Sequence, residues 1–121
     1  MYKRQIVGEP EDLVPLEEKL RQELGSRLNV YRSEAFYLEV VPKGIDKAAS
    51  LQRLLERIHI KQEEVIAIGD GFNDLTMIQF AGLGVAMANA QPPVKANADK
   101  VTTYTNDEDG VAHFIEDLMK V

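Results

Sequence analysis

Residues 65–74 read VIAIGDGFND, and this stretch decides the fold of the chain. An uninterrupted apolar run over 65–68 is followed directly by glycine, aspartate and glycine, and then by residues that suit the start of a helix. Apolar runs bounded by turns are typical of strands that are buried on both faces of a parallel sheet. The stretch therefore predicts a buried strand, a sharp turn at its carboxyl end and a helix after the turn.

Helices and strands alternate on both sides of this stretch. Upstream, Asp46 is a suitable N-cap for a helix that runs to about Ile58. Downstream, the pattern predicts a helix over 73–81, a strand over 83–87, a helix over 92–98, a strand over 100–103 and a last helix over 108–120. The expected buried faces of the first and last helices are Ala48, Leu51, Leu55 and Ile58, and Val111, Phe114, Ile115 and Leu118. Such alternation predicts an α/β fold with a Rossmann-like, three-layer parallel sheet.

The first 41 residues follow a different order, β-α-β-β. The pattern predicts a strand over 2–7, a helix that ends at Leu24, and strands over 28–31 and 35–41 that are joined through Arg32 and Ser33. Because an interior proline loses a hydrogen bond, Pro15 predicts that the helix either starts near Asp12 or kinks. The segment Pro42-Lys43-Gly44 marks a boundary, so we expect two parts, residues 1–41 and 42–121.

Composition narrows the class of protein. The chain has 121 residues with 14 Lys and Arg against 20 Asp and Glu, a formal net charge of −6. This acidic balance argues against nucleic-acid partners, which require a cationic face. No run approaches the roughly 20 apolar residues that span a bilayer, and no signal peptide is recognisable, so we expect no membrane partner. The absence of cysteine fits a reducing compartment, and we expect the cytoplasm.

The acidic turn at 69–74 carries the main candidate site. Ligands of open parallel sheets lie beyond the carboxyl ends of the strands, which is where Asp70 falls. Asp70 and Asp74, with Asn73 between them, offer hard oxygen ligands of the kind that Mg²⁺ prefers. The alternative is that Asp-Gly only forms a turn and that Asn73 only caps the next helix.

Lys47 is the second candidate. It directly follows the predicted N-cap Asp46, where the helix dipole mildly disfavours a cation. A lysine close to a metal-bound phosphate could offset charge during phosphoryl transfer. The alternative is an ordinary solvated side chain.

Five blocks of sequence resemble one family. They are EVVPKGIDK at 39–47, IGDGFNDLTM at 68–77, GLGVAMANA at 82–90, VKANAD at 94–99 and DGVA at 109–112. In order and spacing they resemble the C-terminal portion of Cof-like phosphatases of the haloacid dehalogenase superfamily. The resemblance implies that residues 1–41 are the last part of a cap domain and that residues 42–121 are the C-terminal half of the core.

The resemblance also implies roles for individual residues. Asp70 matches the family's magnesium ligand and Asp74 supports the metal, while Lys47 contacts the phosphoryl group and Asn73 lies near the phosphate. The implied reaction is magnesium-dependent hydrolysis of a small phosphorylated metabolite, such as a sugar phosphate, through an aspartyl-phosphate. Cap residues of this family commonly select the substrate.

Two motifs of the family pattern are missing, the N-terminal Asp-x-Asp and the Ser/Thr phosphate binder. No Asp-x-Asp after an apolar strand precedes the matched blocks, so no residue here matches the attacking aspartate. We therefore expect a C-terminal part of such an enzyme that is inactive alone. The alternatives are a non-catalytic phosphate- or metal-binding module and an assembly element without a ligand. We also expect residues 65–68 to form an exposed sheet edge that promotes self-association.

Overall fold

The computed structural model describes residues 4–120 and arranges them around two small β-sheets. The first part contains β1 (Arg4–Val7), α1 (Pro10–Leu24), β2 (Leu28–Glu34) and β3 (Tyr37–Pro42). The second part contains α2 (Lys47–Ile58), β4 (Ile66–Gly69), α3 (Leu75–Phe80), β5 (Leu83–Ala86), α4 (Pro92–Ala96), β6 (Lys100–Val101) and α5 (Gly110–Met119). Short 3₁₀ turns occupy Gln62–Glu64, Phe72–Asp74 and Asn106–Glu108.

The first sheet is antiparallel, in the order β1-β3-β2, and one of its faces packs against α1. Leu13 of α1 meets Val30 and Leu38 of the sheet in a buried cluster. The predicted connection through Arg32 and Ser33 is wrong, because both residues lie inside β2. A register shift near the end of β2 allows the strand to continue until Glu34 pairs with Tyr37, which leaves a two-residue hairpin loop at 35–36.

The predicted start of α1 is wrong, and part of the predicted first strand lies outside the described residues. Helix α1 begins at Pro10 rather than near Asp12, and it continues through Pro15 to Leu24. Pro10 suits the first helical position, and Pro15 and Glu11 are both exposed, so water can solvate the carbonyl that Pro15 leaves without its helical donor. The strand predicted over 2–7 is present from Arg4, and its first two residues lie outside the described range.

The second sheet is parallel, in the order β4-β5-β6, which confirms the predicted α/β class. Helix α3 packs on β4 and β5, and Ile78, Ala86 and Val94 form the centre of the core. Gly69 is paired with Ala86, so β4 and β5 end at the same edge of the sheet. The chain segments that leave these two strands therefore start side by side.

Strand β4 is an edge strand of the sheet formed by the described residues. Its Ile66 is 48% exposed, so the prediction of burial on both faces is wrong, whereas the expected exposed apolar edge is present. Some other expected core positions are also exposed: Ile58, Val111, Ile115 and Leu118. Spacing correctly placed these residues on helices, but it could not supply the partner surface that would cover them.

Several element ends differ from the predicted ones. The helix predicted from Asn73 begins as a 3₁₀ turn, and its α-helical part starts at Leu75. The last helix starts at Gly110 rather than 108, because Asp109 has a left-handed backbone with φ of 55°. Strand β6 has only two residues. None of the helices within residues 4–120 is both long and apolar enough to span a bilayer.

Candidate phosphoryl-binding site

The turn after β4 is organised around the carboxylate of Asp74. Its Oδ2 accepts hydrogen bonds from the backbone N–H groups of Asp70, at 3.0 Å, and Gly71, at 3.2 Å. Asp74 is only 6% exposed, so these bonds satisfy a carboxylate that water hardly reaches. Gly69 makes room for it, since a Cβ at position 69 would lie 2.6 Å from Asp74 Oδ2. The acidic turn is thus held by hydrogen bonds to Asp74, and it requires glycine at position 69.

Lys47 reaches this turn from the start of α2. The Asp46 side chain caps α2 by accepting a hydrogen bond from Ala49 N at 2.7 Å, as predicted. The Lys47 ammonium donates to Asp74 Oδ1 and forms an ion pair with it. Two residues that are 27 positions apart in the chain are therefore brought together. The lysine side chain is still about half exposed, so its charge can also act on a ligand.

Asp70 is exposed at the carboxyl end of β4, and its backbone is held on both sides. Its N–H donates to Asp74, and its carbonyl accepts from Gln91 N at 3.2 Å. Its carboxylate Oδ2 accepts a hydrogen bond from Asn89 Nδ2 at 3.2 Å. The Asn89 side chain is itself oriented by Asn106 N, which donates to Asn89 Oδ1 at 2.9 Å.

Asn89 is not among the site residues predicted from the sequence. A signal was nevertheless present, because Asn89 follows β5 as Asp70 follows β4, and the two strands are parallel neighbours. Residues that follow the carboxyl ends of adjacent parallel strands meet at one edge of the sheet. The pairing of Gly69 with Ala86, which aligns the two ends, is known only from the structure.

Asn73 lies within the 3₁₀ turn and not at its N-cap, which is Gly71. The interpretation of Asn73 as a helix cap is therefore not supported. Its side chain lines a cavity of about 1000 Å³ together with Lys47. The other walls of this cavity come from α2, α3, α1 and the first sheet, so the cavity is a cleft between the two parts of the chain.

The donor set can be compared with what Mg²⁺ requires. Among residues 4–120 no group of three or more His, Cys, Asp or Glu side chains is placed to hold a metal ion. Mg²⁺ commonly binds one or two protein carboxylates and completes its octahedron with water and phosphate oxygens. Asp70, exposed and oriented by Asn89, fits that role. Asp74 already accepts from three donors, so its main contribution here is to hold the turn and Lys47.

The arrangement places the exposed carboxylate of Asp70 and the ammonium of Lys47 on one hydrogen-bonded frame. Asp74 links them, because it binds the ammonium of Lys47 and the backbone of Asp70 at the same time. A dianionic phosphate together with a divalent cation matches both charges. The fold is that of α/β proteins that hold their ligands beyond the carboxyl edge of a parallel sheet.

Comparison with known proteins identifies the family. A family model described as haloacid dehalogenase-like hydrolase matches residues 1–115, and the chain belongs to this family. A solved haloacid dehalogenase-like hydrolase from Bacteroides thetaiotaomicron is 59% identical with a TM-score of 0.75, over 97% of this chain and 44% of that chain. One from B. subtilis is 35% identical with a TM-score of 0.88, over 98% and 41% of the two chains.

A curated relative has a named substrate. The 5-amino-6-(5-phospho-D-ribitylamino)uracil phosphatase YcsE of Bacillus subtilis is 47% identical over 98 residues, which are 81% of this chain and 38% of that protein. The chain spans less than half the length of the relatives that it matches. The family resemblance inferred from the five sequence blocks is therefore confirmed, and relatives in this family are phosphatases.

Proposed function

We propose that this chain supplies the metal- and phosphate-binding half of a magnesium-dependent phosphatase that acts on small phosphorylated metabolites, sugar phosphates among them. Asp70 would bind Mg²⁺, Lys47 and Asn73 would bind the phosphoryl oxygens, and Asp74 would hold Lys47 and support the metal site. The observation that carries the proposal is the contact of Lys47 with Asp74, which places a cation beside the turn that bears Asp70. When bound, Mg²⁺ supplies charge neutralisation at the phosphoryl group.

The proposed reaction passes through an aspartyl-phosphate, and the 121 residues contain no aspartate that matches the attacking group. We therefore propose that the chain alone does not hydrolyse phosphate esters. Lys47 would stabilise negative charge on the phosphoryl oxygens, and Asn73 would donate a hydrogen bond from the cleft wall. The acidic composition and the lack of cysteine support the further proposal of a cytoplasmic protein without nucleic-acid or membrane partners.

The test is a titration of the chain with Mg²⁺ and orthophosphate, in which the NMR chemical shifts of the 69–74 turn report binding. We expect orthophosphate to bind only weakly unless Mg²⁺ is present, and Asp70→Asn to remove this magnesium dependence. Asp107→Asn is the matched control, because Asp107 is an exposed aspartate of another 3₁₀ turn. If neither Mg²⁺ nor phosphate binds, the better interpretation is that the chain is an assembly element that has no ligand.

Hydrolysis distinguishes the remaining alternatives. We expect p-nitrophenyl phosphate to remain intact in the presence of the chain and Mg²⁺. Hydrolysis that Asp70→Asn abolishes would show that the chain is a complete catalyst. Binding without hydrolysis agrees with the proposed half of a phosphatase and equally with a non-catalytic binding module. If turnover is restored by adding a segment that bears an attacking aspartate, the chain is half of a phosphatase and not a non-catalytic binding module.

We also propose that β4 pairs with β4 of a second copy of this chain. Strand β4 is an edge among the described strands, and residues 65–69 carry no charged side chain, so two copies can approach without direct like-charge repulsion. Two such edges related by a two-fold axis are complementary, because they offer each other the same backbone donors and acceptors. The exposed Ile66 would lose its contact with water in the pair.

Light scattering over a range of concentrations tests this pairing. We expect dimers that Ile66→Lys dissociates, since a charged edge residue opposes strand pairing. Val14→Lys is the control, because Val14 on α1 is equally exposed at 48% and lies away from the edge. A monomer at high concentration, or a dimer that Ile66→Lys leaves intact, contradicts the proposal.

A further inference from the structure

The side chain of Asn89 has a fixed orientation at the edge of the second sheet. Its Oδ1 accepts a hydrogen bond from Asn106 N at 2.9 Å, and its Nδ2 donates to Asp70 Oδ2 at 3.2 Å. A backbone N–H can only donate, so the amide oxygen must lie on the side of Asn106 and the N–H₂ group on the side of Asp70. Asn89 therefore presents a donor, and not its carbonyl oxygen, to the carboxylate that is proposed to bind the cation.

The loop that carries Asn89 is held by the segment that follows β6. Thr102 is 4% exposed, and its Oγ1 accepts from Ala88 N at 2.9 Å and donates to Tyr104 O at 2.6 Å. Its backbone N–H also donates to Ala86 O at 2.9 Å. Strand β6 has only two residues, so these bonds join the loops after β5 and β6 where the strand ladder has ended. Asn89 is thus held through its loop as well as through its amide oxygen.

The hydrogen bond from Asn89 engages one of the two carboxylate oxygens of Asp70. Among residues 4–120 the other oxygen, Oδ1, has no hydrogen-bond partner, and the residue is exposed. A cation that binds Oδ1 alone leaves the hydrogen bond intact. A cation that requires both oxygens competes with the N–H₂ group of Asn89. The arrangement therefore favours a cation that binds through a single carboxylate oxygen.

The acidic turn offers few other oxygens to a cation. Both oxygens of Asp74 already accept hydrogen bonds, one of them from Lys47, and the carbonyl oxygen of Asn89 is engaged by Asn106. Ca²⁺ takes about six to eight oxygen ligands, among them bidentate carboxylates and amide carbonyls. Mg²⁺ requires a small octahedron and keeps several of its waters. The turn therefore suits Mg²⁺ and lacks the additional oxygens that Ca²⁺ requires.

We propose that Asn89, oriented by the backbone of Asn106, is a positioning residue that makes this site select Mg²⁺ over Ca²⁺. It restricts Asp70 to coordination through one oxygen and turns its own carbonyl oxygen away from the cation. Because the two cations carry the same charge, the discrimination is one of coordination geometry. The inference rests on the proposed function, which assigns the metal to Asp70, and adds to it the residues that decide which cation binds.

The experiment measures the affinity of the chain for each cation alone. Calorimetric titrations with MgCl₂ and with CaCl₂ give the two affinities, and NMR chemical shifts of the 69–74 turn report whether the ion binds there. We expect the unmodified chain to bind Mg²⁺ more tightly than Ca²⁺. Asn89→Ala leaves both oxygens of Asp70 free and should lower the ratio of the Mg²⁺ affinity to the Ca²⁺ affinity by about tenfold.

Two variants of Asn106 test how Asn89 is oriented. Asn106→Pro removes the backbone N–H that donates to Asn89, whereas Asn106→Ala removes the side chain and keeps this donor. Proline suits the position, because it is the first residue of a 3₁₀ turn and Thr105 before it is extended, with φ of −77° and ψ of 174°. We expect Asn106→Pro to lower the affinity ratio by about threefold and Asn106→Ala to leave it unchanged.

The ratio of affinities distinguishes positioning from a general loss of structure. Partial unfolding reduces the apparent affinity for both cations by the same factor, so it does not change their ratio. Asn97→Ala is the matched control for Asn89→Ala, because Asn97 is an exposed amide that also makes two hydrogen bonds, with Gln79 and Pro93. Neither partner belongs to the acidic turn, so we expect the ratio to stay unchanged.

The outcomes separate the inference from the proposed function. If Mg²⁺ binds at the turn but no more tightly than Ca²⁺, or if Asn89→Ala leaves the ratio unchanged, the selection by Asn89 is refuted and the proposed function stands. If Asn106→Pro leaves the ratio unchanged, or Asn106→Ala lowers it as much, the orienting role of Asn106 is refuted. If neither cation binds at the turn, the proposed function fails and the selection of Mg²⁺ fails with it.

Discussion

Removing the Asp74 carboxylate should destabilise the chain more than removing the lysine that pairs with it. Asp74→Ala leaves the backbone N–H groups of Asp70 and Gly71 without their acceptor, and Gly71 is buried. An unsatisfied buried donor costs about 1–3 kcal/mol, with less at Asp70 because water reaches it. We expect a loss of about 3 kcal/mol in the free energy of unfolding.

The other variants of this pair form a graded series. Asp74→Asn keeps one oxygen for the backbone donors and turns an amide N–H₂ toward the ammonium of Lys47, for an expected loss of about 1–2 kcal/mol. Lys47→Met removes only a half-exposed ion-pair partner, for an expected loss of about 1 kcal/mol or less. The order of the three losses follows from the number of donors that each variant leaves without a partner.

Urea unfolding followed by far-UV circular dichroism measures these losses, provided that the m-values agree. Asp107→Ala is the control and should stay within about 0.5 kcal/mol of the unmodified chain, because it changes an exposed carboxylate. The reasoning is refuted if Asp74→Ala also stays within that limit. It is refuted equally if Lys47→Met destabilises as much as Asp74→Ala, since the ion pair would then outweigh the backbone bonds.

Three further outcomes are expected. Gly69→Ala should shift the NMR signals of the acidic turn and abolish magnesium binding, because the added Cβ would lie 2.6 Å from Asp74 Oδ2; unchanged signals would contradict this crowding. Asn89→Ala should weaken Mg²⁺ several-fold in calorimetry without changing the unfolding midpoint, since it frees the carboxylate of Asp70 to rotate; equal affinity would exclude a positioning role. Stability should fall as pH rises above 10, because the unfolded chain then ionises Tyr31 while burial and Glu39 still hold its proton in the folded state. Urea unfolding at pH 9 and 11 measures this loss of stability, and Tyr31→Phe should reduce it. An identical loss in the variant and in the unmodified chain would show that Tyr31 is not its source.

Much of this protein was determined by local sequence. The apolar run at 65–68, the glycines after it and the N-cap Asp46 were sufficient to predict a parallel α/β core, an acidic turn at its edge and a helix that starts with Lys47. These features depend on side-chain period and on turn and cap chemistry, which act over a few residues. The five blocks added the family, because their order and spacing are more specific than any single motif.

Tertiary structure decided how the pieces meet. The contact of Lys47 with Asp74, the hydrogen bond from Asn89 to Asp70 and the position of Glu39 on the cleft all involve residues far apart in the chain. Strand register and the packing of one sheet beside a helix from the other part set these distances. Propensity and periodicity describe one element at a time, so they identify which residues can carry charge or donate hydrogen bonds. Only long-range packing determines which of those groups share a site, because it brings together groups that local sequence leaves apart.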